Sequence, residues 1–329
     1  MVLQLYSGRG SSQRRGERKS RWRLLAVAAF VAIAPITSRP LAAQNAASAP
    51  AATGPADSAP AKNLNITPKR LTFNRGERSH TVYIYNQGTT PAVFDISMVD
   101  RVMLPSGEIE ALSQAEKHAD LAPIISHLAS AKDMLIATPR RAVLAPGKGQ
   151  TIRILVTAPA GASAPEYRSH LTVTTVPPRD VGVTAEEAAA AERSNRLSFN
   201  VIPVFGVSIP VIVRSGSADV RGAIANAHLS YANISPDGVA PPRRTPVLSF
   251  DLERTGANSL FGNIEVRAKN SKELVGLARG VGVYTEIGQR IIQLPLRRAL
   301  TPGEQLEITF VDDDTNPGHV IARTAFVVS

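Results

Sequence analysis

Residues 166–178 read EYRSHLTVTTVPP: Tyr167, Ser169, Leu171, Val173 and Thr175 alternate with their neighbours, and the run stops on two prolines. A period of two places these side chains on one face of an extended strand. Just upstream, 137–154 (ATPRRAVLAPGKGQTIRI) reads as a strand, a Pro146-Gly147 turn and a second strand over Thr151–Val156. Short alternating strands separated by turn residues point to an antiparallel β-sandwich.

At 329 residues the chain has room for two such domains, each with its own core. Its formal charge is +10, but residues 1–43 hold eight Lys/Arg against one acid, so +7 sits there and only +3 on the rest. Beyond the start the basic residues are scattered, as at Arg243–Arg244 and Arg297–Arg298, and aromatics make up 5% of the chain. This argues against nucleic acid as a partner, which needs a basic surface interleaved with stacking rings. The charged start instead reads as a secretory signal over residues 1–43. A basic region ends at Arg23, a short apolar stretch runs from Leu24 to Ile36, and Leu41-Ala42-Ala43 precedes a cut before Gln44. The apolar stretch falls short of the ~20 residues of a membrane span, so no membrane insertion is expected after cleavage. There is no cysteine, which excludes disulfides, thiolate metal sites and thiol nucleophiles.

Residues 44–62 are mostly Ala, Ser, Pro, Gly and Thr and read as a disordered leader. Strands follow at Thr81–Tyr85 and Val93–Ser97, with a turn at Pro105-Ser106-Gly107. Residues 111–135 break the strand pattern and read as a helical or loop insertion interrupted by Pro123. At 183–196 an Ala/Glu-rich stretch with Thr184 and Glu187 as a capping box reads as a short exposed helix. Ser215-Gly216-Ser217 is the best domain boundary. Beyond it seven strands are expected, at 223–232, 247–253, 261–268, 278–285, 290–296, 306–311 and 321–328, enough for a second sandwich.

No enzymatic constellation stands out. The six histidines form no metal-binding helical pair, and there is neither a nucleophile elbow nor a phosphate loop. Gly280 and Gly282 form a lone G-x-G in a β region, and Asp312-Asp313-Asp314 lacks the spacing of a calcium loop and reads as a solvated turn. Tyr167, Leu171 and Val173 read as core or sheet-face residues. No enzyme, cofactor or metal is expected.

One further stretch stands apart. Leu197, Phe199, Val201, Phe205, Val207, Ile209, Val211 and Val213 share one phase, with Pro203 interrupting the row. The eighteen residues from Leu197 to Arg214 are long for a strand, where ~5–6 is usual. Prolines at 203 and 210 fit an edge, and a long apolar edge is a template for another chain. Spacing alone leaves two readings open: a buried strand that kinks at Pro203, or an edge that receives a partner.

In order and spacing, the segments at 137–154 and 166–178 resemble the periplasmic pilus-assembly chaperones of the chaperone–usher pathway. The resemblance covers residues 63–214 well and 215–329 loosely, the latter mainly through 245–266. It implies an all-β chain with two immunoglobulin-like sandwich domains, 63–214 and 215–329, and short helical insertions in the first. It implies a periplasmic chaperone that caps pilus or fimbrial subunits by donor-strand complementation and hands them to an outer-membrane usher. The donor strand would be Val201, Pro203, Phe205, Val207 and Ile209. Arg70, in Arg-Leu-Thr-Phe73, would bind the subunit's C-terminal carboxylate, which suits a guanidinium fork. The family's partner lysine would fall at Pro210, where this chain departs from the pattern. The rival class is a structural subunit or adhesin of a surface fibre, but residues 44–62 lack the alternating apolar face of a donor extension. A carbohydrate-binding or hydrolytic sandwich would need clustered aromatics, and Trp22 is the only tryptophan.

Overall fold

The computed structural model describes residues 64–157, 163–177, 204–235, 238–269, 271 and 273–329. The expected signal (1–43), leader (44–62) and helix at 183–196 lie outside the described residues, as do Val201 and Pro203 of the expected donor strand. No helix among the described residues is long and apolar enough to cross a membrane.

The first half begins with β1 (Leu64–Thr67), β2 (Leu71–Phe73), β3 (Ser79–Asn86) and β4 (Ala92–Val99). A hairpin of β5 (Arg101–Met103) and β6 (Ile109–Ala111) follows, then α1 (Leu112–Ala115), a 3-10 turn at Ala119–Leu121, α2 (Ala122–Ser126) and a 3-10 turn at Lys132–Met134. The half closes with β7 (Leu135–Thr138), β8 (Arg141–Leu144), β9 (Gly149–Val156), β10 (Glu166–Val176) and β11 (Gly206–Arg214). Two sheets face each other, ordered β1-β3-β9-β7 and β2-β11-β10-β4-β8. The alternation in the sequence dictates what lies between them. On β3, Val82 and Ile84 are buried and Thr81 and Tyr83 exposed; on β9, Ile152 and Ile154 are buried and Arg153 exposed. Phe73, Phe94, Leu171, Val173 and Val211 complete this core, and Tyr167 packs against it.

Two details differ from the sequence reading. The insertion begins at Arg101, ten residues before the expected 111, because its first strands read locally as a continuation of β4. Pro123 starts a helix instead of interrupting one: it sits in the first turn of α2, where its missing N–H costs nothing.

The second half holds β12 (Gly222–Ile234), β13 (Arg243–Arg254), β14 (Leu260–Ala268), β15 (Leu274–Val283), β16 (Gln289–Pro295), β17 (Gln305–Asp312) and β18 (Val320–Val327). These seven match the expected strands and form sheets ordered β12-β13-β16 and β15-β14-β17-β18. Leu248, Phe250, Ile264, Val266, Ile308 and Phe310 fill the space between. Gly280 of the lone G-x-G lies in β15 at φ 65°, a backbone conformation that favours glycine, and serves strand geometry. Ser215–Ser217 is exposed between β11 and β12.

Candidate functional site

β11 pairs antiparallel with β10 along its whole length, from Gly206↔Thr174 to Arg214↔Glu166. On its other side β2 covers only Val211–Val213. Among the described residues, no strand pairs with the outer side of Gly206–Pro210. The Thr175 N–H donates to the Phe205 carbonyl at 2.8 Å. Phe205 and every second residue after it therefore direct their backbone at β10, while Gly206, Ser208 and Pro210 direct theirs outward. Pro210 falls at an outward position, where no ladder bond loses its donor.

The Thr175 hydroxyl fixes the start of this edge, accepting from the Phe205 N–H at 3.0 Å and lying 3.2 Å from the Phe205 carbonyl. One turn of the pleat further on, the Thr172 and Ser208 hydroxyls meet at 2.7 Å.

The apolar row read from the sequence divides along the strand. Ile209 is 2% exposed and belongs with Val211 and Val213 to the core of its own half, so its side chain is not presented to a partner. Val207 packs partly against that core, and Phe205 is partly buried beyond it. The reason is parity: one strand face continues from the edge into the space between the sheets.

Arg70 lies between β1 and β2, where the chain crosses from one sheet to the other. That crossing carries it to the joint between the halves. Its side chain is 9% exposed, and its Nη2 reaches Asp314 Oδ2 at 3.1 Å. The guanidinium also stacks over Phe261, 4.5 Å from the ring centroid. Arg214, at the end of β11, shares the same carboxylate oxygen at 2.7 Å, and its Nε lies 3.3 Å from Glu166 Oε2. Thr72 donates to Asp314 Oδ1 at 3.0 Å. Burial acts to raise the Asp314 pKa, but the charges of Arg70 and Arg214 outweigh it and hold the carboxyl below its usual range.

The triple aspartate is therefore not a solvated turn. Asp312 is buried and accepts the backbone N–H groups of Asp314, Thr315 and Asn316 at 3.0, 3.2 and 2.7 Å, which shapes the loop that presents Asp314. No cluster of three metal-ligating side chains occurs among the described residues.

A second charged contact joins the halves. Arg168 on β10 and Glu286, in the β15–β16 loop, form an ion pair with side chains 1% and 0% exposed. Glu286 also accepts the Met103 N–H at 2.8 Å. Tyr284 lies between the two charged contacts, its ring centroid 4.1 Å from the Arg168 guanidinium and 5.9 Å from that of Arg70. Arg168, Glu286 and Tyr284 escaped the sequence reading, which puts Asp314 in a solvated turn.

Opposite Pro210, where the family pattern would put a lysine, stands His170 of β10. Burial, and then the charges of Arg168, Arg101 and Arg70, push its pKa down to about 2 from 6.5. It is neutral when folded, whereas the unfolded chain binds a proton below about pH 6.5. Stability is thus expected to fall as pH drops from about 6.5 towards 2, by at most ~1.4 kcal/mol per unit for this group. His170→Phe should flatten that limb. Urea unfolding of both proteins at a series of pH values checks it, and parallel slopes would assign the acid sensitivity elsewhere.

No family model matches the chain, and no curated protein matches it. Among solved structures it is similar to the Pseudomonas aeruginosa CupB2 chaperone, at 12% identity and a TM-score of 0.38, over 80% of this chain and 100% of that one. It is similar to the E. coli chaperone DraB at 13% identity and a TM-score of 0.37, over 81% and 96% of the two chains. A Salmonella enterica complex of SafA pilin with the SafB chaperone matches at 11% identity and a TM-score of 0.35, over 80% and 96%. All three are chaperone structures, one of them with a pilin bound.

Proposed function

We propose that this chain is an exported, periplasmic chaperone, divided into domains 63–214 and 215–329, that captures fibre subunits by lending them its edge strand. The observation that carries this reading is the outer side of Gly206–Pro210, which pairs with no strand among the described residues while the opposite side is anchored along β10. Strand addition needs that combination: outward backbone groups for affinity and alternate side chains for selection. The partner class, pilus or fimbrial subunits followed by an outer-membrane usher, comes from the sequence resemblance of residues 63–214. Energy would come from exchanging one strand for a better-packed one, with no cofactor.

Arg70 is the proposed anchor for the subunit's terminal carboxylate. Asp314 engages its Nη2, while Nε and Nη1 have no acceptor among the described residues. Arg70→Ala should leave the fold nearly intact, since Arg214 still holds Asp314. It should weaken capture by ~2–5 kcal/mol, the cost of removing one partner of a desolvated charge pair, or roughly 30- to 5000-fold in affinity. Affinity purification from the periplasm, with mass spectrometry of the bound protein, tests both statements. The reading fails if the wild-type chain brings down no fibre subunit, and the anchor fails if Arg70→Ala recovers as much subunit as wild type.

A further inference from the structure

We propose that residues 101–126 form a brace that fixes the angle between the two halves, whether or not any partner is bound. The segment leaves the first half at the end of β4, yet its anchoring side chains serve the second. Met103 is buried in the core of the second half, with Leu252, Ile287 and Ile292 in the same cluster, and Ile109 and Ile124 pack against that core. Two hydrogen bonds from backbone N–H groups, one to a carboxylate and one to a carbonyl, reinforce the apolar anchor. Met103 N–H donates to Glu286, and Ile291 N–H donates to the Pro105 carbonyl at 2.8 Å, so the hairpin also caps part of the open edge of β16.

The hairpin tip is shaped to fit. Gly107 has φ 89°, and a Cβ there would collide with the guanidinium of Arg290. Glu286 ties three segments together, because it accepts from Met103 of the brace and pairs with Arg168 of β10. Asp314 with Arg70 and Arg214 makes the other charged attachment, on the far side of Tyr284. The Asp314 attachment alone would leave an axis about which the halves could swing. The brace, with a side chain buried in the opposite core, removes that freedom by itself, because packed cores do not deform continuously.

The absence of cysteine makes the test direct. Val143→Cys on β8 and Val327→Cys on β18, at residues 69% and 56% exposed, place one spin label on each half. Pulsed electron–electron resonance then reads the distance between them in the full chain. The parent should give a single narrow distance, and so should Asp314→Asn, because the brace remains. Met103→Asp and Gly107→Val should each give a broadened distribution with a longer-distance population. Gly107→Val decides the matter alone if Met103→Asp does not fold, since it alters only the hairpin tip. A narrow distance retained in Gly107→Val, or broadening in Asp314→Asn with the brace intact, overturns the proposal.

Discussion

Glu286→Ala is expected to destabilise the folded chain by about 3–5 kcal/mol, the cost of leaving a buried charge without its partner. Arg168 would keep the Arg101 carbonyl at 2.8 Å and the face of Tyr284, but it would lose its counter-charge in a site that water does not reach. The Met103 N–H would lose its acceptor as well. Against a typical folding free energy of ~5–15 kcal/mol, such a loss is a large share of the whole. The double change Arg168→Met with Glu286→Leu should recover most of it, because well-packed apolar side chains often replace a buried ion pair without loss. Urea unfolding of the wild type, the single variant and the double variant gives the comparison. A single variant as stable as wild type would show that the pair contributes little. Asp314→Ala should be milder, since that carboxyl is 12% exposed and each arginine it serves has a further contact.

The edge strand supports an equally large effect of a different kind. Phe205→Glu should abolish subunit capture while the chain stays folded, because Phe205 is only partly buried and its peptide is held by Thr175 through backbone atoms that the change leaves alone. A carboxylate entering a partner's apolar groove without a counter-charge would cost more than any single lost contact. Val211→Glu, on β11 and in the same phase, should unfold the first half, because Val211 is fully buried between the sheets. Circular dichroism and a subunit pull-down on the two variants separate the roles. A folded Phe205→Glu chain that still captures subunit would remove Phe205 from the donor register. An unfolded one would make Phe205 ordinary core.

Strands were legible where their cause is local. Val82 and Ile84 against Thr81 and Tyr83 announce a strand with one face covered, and the same alternation gave all seven strands of the second half. The charged joint was not legible. Arg168 sits in the polar phase of EYRSHLTVTTVPP, and alternation cannot distinguish a polar face in water from one pressed against another part of the chain. Its partner Glu286 lies 118 positions away, and Arg70 and Asp314 are 244 apart. A run of three acids reads as solvated until the loop that carries it is seen folded onto two arginines. Arg70 could be singled out only through a motif resemblance, and that gave the residue without its internal partner.

The alternation of β11 bears on how long a bound segment would stay. Between Gly206 and Pro210 the outward backbone offers two N–H donors and two carbonyls, from Gly206 and Ser208, before β2 takes over the edge. At ~0.5–1.5 kcal/mol net for each hydrogen bond, this part of the edge can hold an incoming strand only modestly. Residence time on it would then be set chiefly by how well side chains fit, and a competing strand with a better fit could displace the first without any input of chemical energy.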